Sequence, residues 1–395
     1  MDKFLQRSRG SSSQLLISLG NEAGDLDSLV SAIAAAFWYS TENQNTLVLP
    51  VATFPRRDFK LRGDAIALFT NAGFKMKDGT PEHMTFWDEI GDVKQVDGLI
   101  LTDHNTLTQA SKNVFGPYVE VVGIMDHHAD KGELFKNAKF RIVDETCGSC
   151  CSIVASKLLE NESLELPVDL VQLLLGVILL DTRNFDVKSK KFNDVDLRAH
   201  RGLTLKYPLV ITLSYEAMMT ARTDVSHLGV DDLLRLDFKS AEISSGCFAG
   251  CTIGFSSIMC SLPSFLERAG SVNELETSVH TCMLECLSVD VLVCLCKSHK
   301  DKKTKHKGVI VVSKDHHFVD AIKLIVSSAP ANLLSSQLLE NELFKLQDIN
   351  THGFRVGSCS IESLSPNSCY FTVSDAISRK TLMPFVLELL HNGRL

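Results

Sequence analysis

Four clusters of acidic and imidazole side chains could together carry hydrolytic chemistry. They are Gly20-Asn21-Glu22-Ala23-Gly24-Asp25-Leu26-Asp27-Ser28, Thr102-Asp103-His104-Asn105, Met125-Asp126-His127-His128 and Asp181-Thr182-Arg183-Asn184. Taken singly, each has an ordinary explanation, because an Asp after a strand is commonly a helix cap or a turn residue. Their joint occurrence is harder to explain structurally, since no loop demands so many acids beside an apolar core. Asp25, Asp27, Asp103 and Asp181 gathered in one pocket would repel one another severely as free carboxylates. Two divalent cations would neutralise them. Such a dinuclear, oxygen-preferring site can lower the pKa of a water and polarise a phosphoryl oxygen.

The elements that must position these clusters are legible as alternating short apolar runs and helical patterns, the signature of a parallel α/β sheet. Leu15–Leu19, Leu47–Val51, Leu99–Thr102 and Val119–Met125 read as strands, and Leu29, Ile33 and Phe37 recur at helical spacing. Three of the clusters directly follow such strands. Side chains just past the carboxyl ends of parallel strands converge on one crevice. Val171–Leu180 is apolar all round and long enough for a buried helix, although periodicity alone also admits a strand. The polar stretch from Asp186 to Tyr207 reads as an interdomain connection. Beyond it, Ala249–Ile258, Val289–Cys296 and Gly308–Val312 read as strands. A last helix begins near Ser378 and carries Met383, Val386, Leu387 and Leu390 on one face.

The chain has 395 residues, too many for one ordinary core, so two domains are expected. A net charge of −8 argues against binding a nucleic-acid duplex, whose backbone selects basic surfaces. No apolar run approaches the roughly 20 residues of a membrane span, and the first ten residues lack the apolar core of a secretory signal. The twelve cysteines include adjacent and alternating pairs, poor geometry for a disulfide framework, which suits a reducing cytoplasm.

The motifs GNEAGDLDS, TDHN and MDHH and the Asp181 segment resemble the four ordered motifs of the DHH phosphoesterase superfamily. With Leu61-Arg62-Gly63-Asp64 and Gly148-Ser149-Cys150, the pattern is most similar to the branch of prune and eukaryotic cytosolic exopolyphosphatases. The resemblance continues through Leu236-Asp237-Phe238-Lys239 and Ser378-Arg379-Lys380, which look like phosphate-gripping motifs of a C-terminal DHH-associated domain. It implies an α/β fold with a parallel-sheet DHH domain over residues 1–190 and a smaller α/β domain over residues 210–395, with the active site in the cleft between them. It also implies two divalent metal ions, Mg²⁺, Mn²⁺ or Co²⁺. Asp25 would hold the first and Asp27 the second, with Asp103 bridging and His127 and Asp181 completing the second site. His128 would meet the substrate phosphate as acid or electrostatic partner, and Lys239, Arg379 and Lys380 would reach it from the second domain. Related pyrophosphatases have His where this chain has Asn21, so Asn21 is expected to touch metal only loosely or to bind substrate.

These expectations amount to exopolyphosphatase action on short inorganic polyphosphate with release of orthophosphate. The alternatives are an inorganic pyrophosphatase, a cyclic-nucleotide phosphodiesterase, or a non-catalytic prune-like interaction protein. Arg379 and Lys380 open a helix, where cations oppose the helix dipole, so a purely structural role suits them poorly. Two features are read as coincidental: the second Asp-His-His string at Asp315-His316-His317, and the lysine-rich stretch Lys297–Lys307, an ordinary solvated hairpin tip.

Overall fold

Leu16, Ile17 and Leu19 are almost wholly buried on strand β1 (Gln14–Leu19), which has a parallel neighbour on each side. The computed structural model describes residues 1–6, 14–91, 96–132, 135–297, 299–300, 305–328, 354–356, 359–361, 367–374 and 377–391. Within them the chain divides into two compact units, Met1–Asp224 and Val225–Leu395. No helix of the described residues is long and apolar enough to cross a membrane.

In the first unit, β1 is joined by β2 (Thr46–Ala52), β3 (Thr85–Phe86), β4 (Gly98–Thr102), β5 (Val121–Asp126) and β6 (Phe140–Val143). The order across the sheet is β3-β2-β1-β4-β5-β6, and every pairing is parallel. The chain works outward from β1 in one direction, then returns to start again beside it. Loops leaving β1 and β4 therefore diverge, which opens a crevice at their carboxyl ends. The register sets Leu19 beside Leu101 and Thr102 beside Met125, so the three strand-end clusters share one sheet edge.

Seven helices of the first unit matter here: α1 (Leu26–Glu42), α2 (Gly63–Asn71), α3 (Gln109–Phe115), α4 (Cys150–Glu160), α5 (Val168–Asp181), α6 (Asp194–Lys206) and α7 (Tyr215–Thr223). The ambiguous run ending at Leu180 is helix α5. It packs against α1, α2, α4, α6 and α7, and a helix surrounded by helices must be apolar all round. The stretch 186–207 is not a connection. Asn193 and Asp196 form a capping box for α6, which buries Ala199 and Leu203 and packs on α4 and α5. By packing, the two compact units divide at Asp224/Val225.

The second unit is a mixed sheet. Its strands β7 (Phe238–Glu242), β8 (Thr252–Ser261), β9 (Val291–Lys297), β10 (Lys305–Ser313) and β11 (Ser368–Ser374) lie in that order, and only β8 and β9 are parallel. Ile253, Phe255, Val293 and Val311 form its core with Leu382, Val386 and Leu390 of the last helix, α8 (Arg379–His391).

Ile178 is fully buried one turn before the end of α5. Ile178→Ala should lower stability by about 2–5 kcal/mol through lost burial and the cavity left behind. Urea denaturation followed by far-UV circular dichroism checks it; a loss within ~0.5 kcal/mol would mean that α5 is not central to the core.

Candidate metal centre

The loop after β1 turns tightly at Gly24, where φ is +54° and an added Cβ would lie 2.4 Å from the Phe54 ring, so a side chain cannot be accommodated. The next residue, Asp25, caps α1, with Oδ1 accepting from the Ser28 amide at 3.1 Å. Asp27 sits in the first turn and is buried. Its Oδ1 accepts from the Ser149 hydroxyl and the Cys151 amide, both at 2.9 Å, and its Oδ2 from the Cys150 amide at 2.7 Å. The Gly-Ser-Cys motif is thus the positive end of α4 turned onto Asp27. Gly148 is itself fixed by Asp196, which accepts from its amide at 2.8 Å.

Asp103 ends β4 in the left-handed region, at φ +62°, a conformation that costs a non-glycine residue about 1–3 kcal/mol. Its Oδ2 accepts from the Ser28 hydroxyl at 2.5 Å and from the Asn21 amide at 2.7 Å. Asn21 also donates to the Asp103 carbonyl, and its own oxygen accepts from the Ala23 and Gly24 amides. With its hydrogen-bonding groups occupied in this way, Asn21 holds Asp103 and the β1 loop.

His127 Nδ1 lies 3.0 Å from the Cys147 carbonyl, which only accepts, so Nδ1 must carry a proton. Nε2 then faces Asp103 Oδ1 at 3.0 Å and Asp27 Oδ2 at 3.6 Å. A neutral imidazole would point its lone pair at carboxylate oxygens, a contact that only a proton or a metal cation makes favourable. His128 is fixed differently. Its Nδ1 donates to Asp126 Oδ1 at 2.9 Å, leaving Nε2 as the remaining ring nitrogen on a half-exposed side chain. Asp126 is fully buried and also accepts from the His127 and His128 amides and from Asn105.

Asp181 is the last residue of α5, where a negative charge opposes the helix dipole. Among the described residues its buried Oδ2 has no hydrogen-bond partner, and the side-chain nitrogen that approaches buried Asp103 Oδ1 is His127 Nε2. Burial, reinforced by the charges of Asp27, Asp25 and Asp103, pushes the Asp181 carboxyl far up. Burial and then the Asp103 charge raise Asp27 to about 6, against the lowering effect of His127. Burial likewise raises Asp103, against the hydrogen bonds from His127 and Ser28. For His127, burial pulls downward, but the Asp103 hydrogen bond and the Asp27 charge prevail and carry it to about 10. The Asp126 hydrogen bond raises His128. Buried carboxylates around an imidazole that a cation could meet once its Nε2 proton is displaced are the donor set of hard divalent cations, so these residues fit metal.

Asp25, Asp27, Asp103, His127, His128 and Asp181 line one cavity of about 580 Å³ within the first unit. Its wall also includes Arg183, which the fourth cluster contains without a role assigned to it, and Lys191 and Arg222, which the motif pattern did not single out. Arg222 could not be found from local sequence, because Asp64, the residue that orients it, is 158 positions away. Lys239, Arg379 and Lys380 belong to the second unit. There Lys239 and Lys380 are exposed, and Arg379 Nη1 donates to the Asp237 carbonyl at 2.9 Å and pairs with its carboxylate at 2.9 Å. In the second Asp-His-His string, Asp315 accepts from the His317 amide at 3.0 Å, an ordinary helix-capping turn with all three residues exposed. Residues 298 and 301–304 of the lysine-rich stretch lie outside the described residues.

A family model for the DHH family N-terminal domain matches residues 16–180, and one for the DHHA2 domain matches residues 216–389. The chain is 30% identical over 287 residues to a Bos taurus protein named exopolyphosphatase PRUNE1, covering 70% of this chain and 60% of that protein. It is 31% identical over 235 residues to a putative exopolyphosphatase of Schizosaccharomyces pombe, covering 56% and 58%. A probable manganese-dependent inorganic pyrophosphatase of Lactiplantibacillus plantarum is 29% identical over 154 residues, covering 38% of this chain and 47% of that protein. The chain spans about 60% of the length of the exopolyphosphatase relatives it matches.

Asp27, near 6 when folded against about 3.9 unfolded, contributes stability fully below pH ~4 and loses it as pH rises through 6. His127, near 10 against about 6.5, contributes fully below pH ~6.5 and loses it as pH rises through 10. Between pH 6.5 and 9 the metal-free protein should therefore lose thermal stability. Added Mn²⁺ replaces those protons, so its stabilising increment should grow over the same range. Melting curves in chelator and in Mn²⁺ test this, and an increment that shrinks with rising pH would exclude cation binding at these groups.

Proposed function

The chain belongs to the DHH superfamily, in its prune branch, and from that premise we propose that it is a divalent-metal-dependent phosphohydrolase that removes orthophosphate from short inorganic polyphosphate. The observation that supports this most is the convergence of Asp25, Asp27, Asp103, Asp181, His127 and His128 on one cavity, where among the described residues a buried oxygen of Asp181 has no hydrogen-bond partner and a buried oxygen of Asp103 meets His127 Nε2. Asp25, Asp27, Asp103, Asp181 and His127 would hold two Mg²⁺ or Mn²⁺ ions. Bound there, the cations supply Lewis acidity toward phosphoryl oxygen and activation of water.

The chain's own groups do the positioning. The α4 amides fix Asp27, and Asn21 and Ser28 fix Asp103, so neither carboxylate needs to reorganise. His128, with Nδ1–H tied to Asp126, presents Nε2 as the atom that holds a proton for the departing phosphate oxygen. The raised pKa of its imidazole favours the charged form that a general acid requires. Lys239, Arg379 and Lys380 are proposed to meet the remaining negative charges of the substrate. Inorganic pyrophosphatase action is the second reading, favoured by the similarity to the protein named as a manganese-dependent pyrophosphatase. The cysteines of the described residues form no disulfide, in keeping with a reducing compartment such as the cytoplasm.

Phosphate release measured on pyrophosphate, tripolyphosphate, long polyphosphate and cyclic AMP, with Mg²⁺ and with Mn²⁺, should be fastest on tripolyphosphate. Asp103→Asn should reduce it on the order of a thousandfold, several kcal/mol of lost charge stabilisation, while leaving the fold intact. Turnover of pyrophosphate alone would select the second reading. Hydrolysis of none of the four would leave a non-catalytic interaction protein.

A further inference from the structure

The cavity that gathers four acids is also walled by Arg183, Lys191 and Arg222. Arg222 stands on the last turn of α7, where its Nε donates to Asp64 Oδ2 at 2.6 Å. Asp64 is buried in the first turn of α2, so the anchor is rigid. The neighbouring Gly63 lies so close to α7 that an added Cβ would sit 2.1 Å from the Ala221 carbonyl oxygen. Arg62 reaches the other way. Its Nε donates to the Gly24 carbonyl at 2.6 Å and its Nη2 to the Ala23 carbonyl at 2.9 Å, with the guanidinium 3.5 Å above the Phe54 ring. Leu61-Arg62-Gly63-Asp64 is therefore a bracket. One end holds the loop that delivers Asp25 and Asp27, and the other aims Arg222 along the same cavity.

A purely structural role for Arg222 would be to balance the acids or to tie α7 to α2. Balancing the acids would place its guanidinium on them. Instead, among the described residues it forms no ion pair with Asp25, Asp27, Asp103 or Asp181, and its one hydrogen bond goes to Asp64. Tying the helices together needs only that Nε bond. The two Nη groups have no partner among the described residues and remain half-exposed at the cavity. A guanidinium held by one nitrogen, with its paired Nη donors open, matches the oxygens of a phosphate. The position of Arg183 is equally deliberate. Arg183, Asn184 and Phe185 all have φ between +53° and +57°, three successive non-glycine residues in the left-handed region, beginning two residues after Asp181. Such a turn is disfavoured and persists only where its surroundings enforce it, here through Asn184 N–H to Leu179 O at 2.7 Å and Phe185 packed on Phe192 and His200.

We propose that Arg222, aimed by the Leu61–Asp64 bracket, is an anion-recognition residue of this site, with Arg183 and Lys191 continuing a basic wall along a phosphoanhydride chain. The inference rests on the phosphohydrolase reading and adds to it a substrate-gripping wall within the first unit itself. Arg222 grips a phosphate beside the metal-ligand cluster and takes no metal.

The test compares the full chain with Arg222→Gln, Arg222→Lys and Asp64→Asn, using the non-hydrolysable imido analogue of tripolyphosphate as probe in saturating Mn²⁺. Isothermal titration should show binding weakened about tenfold or more by Arg222→Gln, the loss of a charge-assisted contact. Arg222→Lys keeps the charge without the fork and should fall between the two. Asp64→Asn leaves the guanidinium in place but loosens its aim, and should weaken binding by a smaller factor. Mn²⁺ affinity, titrated separately, should stay within about twofold in Arg222→Gln and Arg222→Lys, since Arg222 is not a ligand. Probe binding unchanged in Arg222→Gln, or lost only in step with Mn²⁺ affinity or melting temperature, overturns the inference. If Arg222→Gln does not fold, Arg222→Lys decides: full probe affinity together with a lowered melting temperature would make the residue structural. Wild-type hydrolysis is scored separately. An inactive wild type with Arg222-dependent probe binding would overturn the hydrolase reading and leave the wall standing, whereas an active enzyme indifferent to Arg222 would overturn the wall alone.

Discussion

Mutual repulsion among buried carboxylates is the constraint on which the first unit is organised. Asp27, Asp103 and Asp181 are each pushed toward the neutral form by burial and by neighbouring charge. A folding chain does not gather such groups spontaneously, because each would gain by turning outward to water. They stay because β1 and β4 are adjacent strands at which the sheet order reverses, so the loops at their carboxyl ends open one crevice. The largely apolar helix α5 fixes Asp181 at the same place, since nine of its residues are buried against the surrounding helices.

The surrounding hydrogen bonds show how the arrangement is held without being neutralised. Asp27 receives amides and a hydroxyl from the start of α4, and Asp103 receives Asn21 and Ser28, but among the described residues neither is paired with a lysine or arginine. Neutral donors orient a carboxylate and lower the penalty of burying it, while leaving its charge available. An arginine in direct contact would have stabilised the fold and competed with any cation. The nearby guanidiniums are instead directed elsewhere, Arg62 to backbone carbonyls and Arg222 to Asp64. The sign of the charge and the identity of the partner together separate a ligand set from an ordinary ion-pair cluster.

Much of this was legible in the sequence, and the reasons differ by element. The strands β1, β2, β4 and β5 announce themselves because buried parallel strands are short continuous apolar runs. Five of the six cavity-lining acids and histidines were visible because strand ends are where a parallel sheet presents side chains, and the sixth, Asp181, because it closes a long apolar run. Helix α6 was misread as a connection because only Ala199 and Leu203 of its apolar residues are fully buried, so its stripe is too narrow to stand out from a charged stretch. Asn21 is expected as a loose metal contact or a substrate contact; its amide is turned to Asp103 and to the backbone of its own loop, a connection that only the geometry carries. Arg222 had no local signal, since its meaning comes from Asp64 on a distant helix.

The same constraint links the stability of the first unit to its chemistry. A cation that binds the folded cluster binds the unfolded chain far less, because the ligands come from four separate segments, and its binding free energy is therefore folding free energy as well. The strained φ of Asp103 and the dipole-opposed charge of Asp181 both disfavour the metal-free protein. Each of these penalties would be compensated if a cation met the buried Asp103 and Asp181 oxygens. Substitutions that relieve the strain or repulsion would make the metal-free fold more stable and weaken cation binding, the trade-off expected where a fold keeps an active site poised. The features least favourable to the bare polypeptide thus fall where the metal-dependent chemistry is proposed.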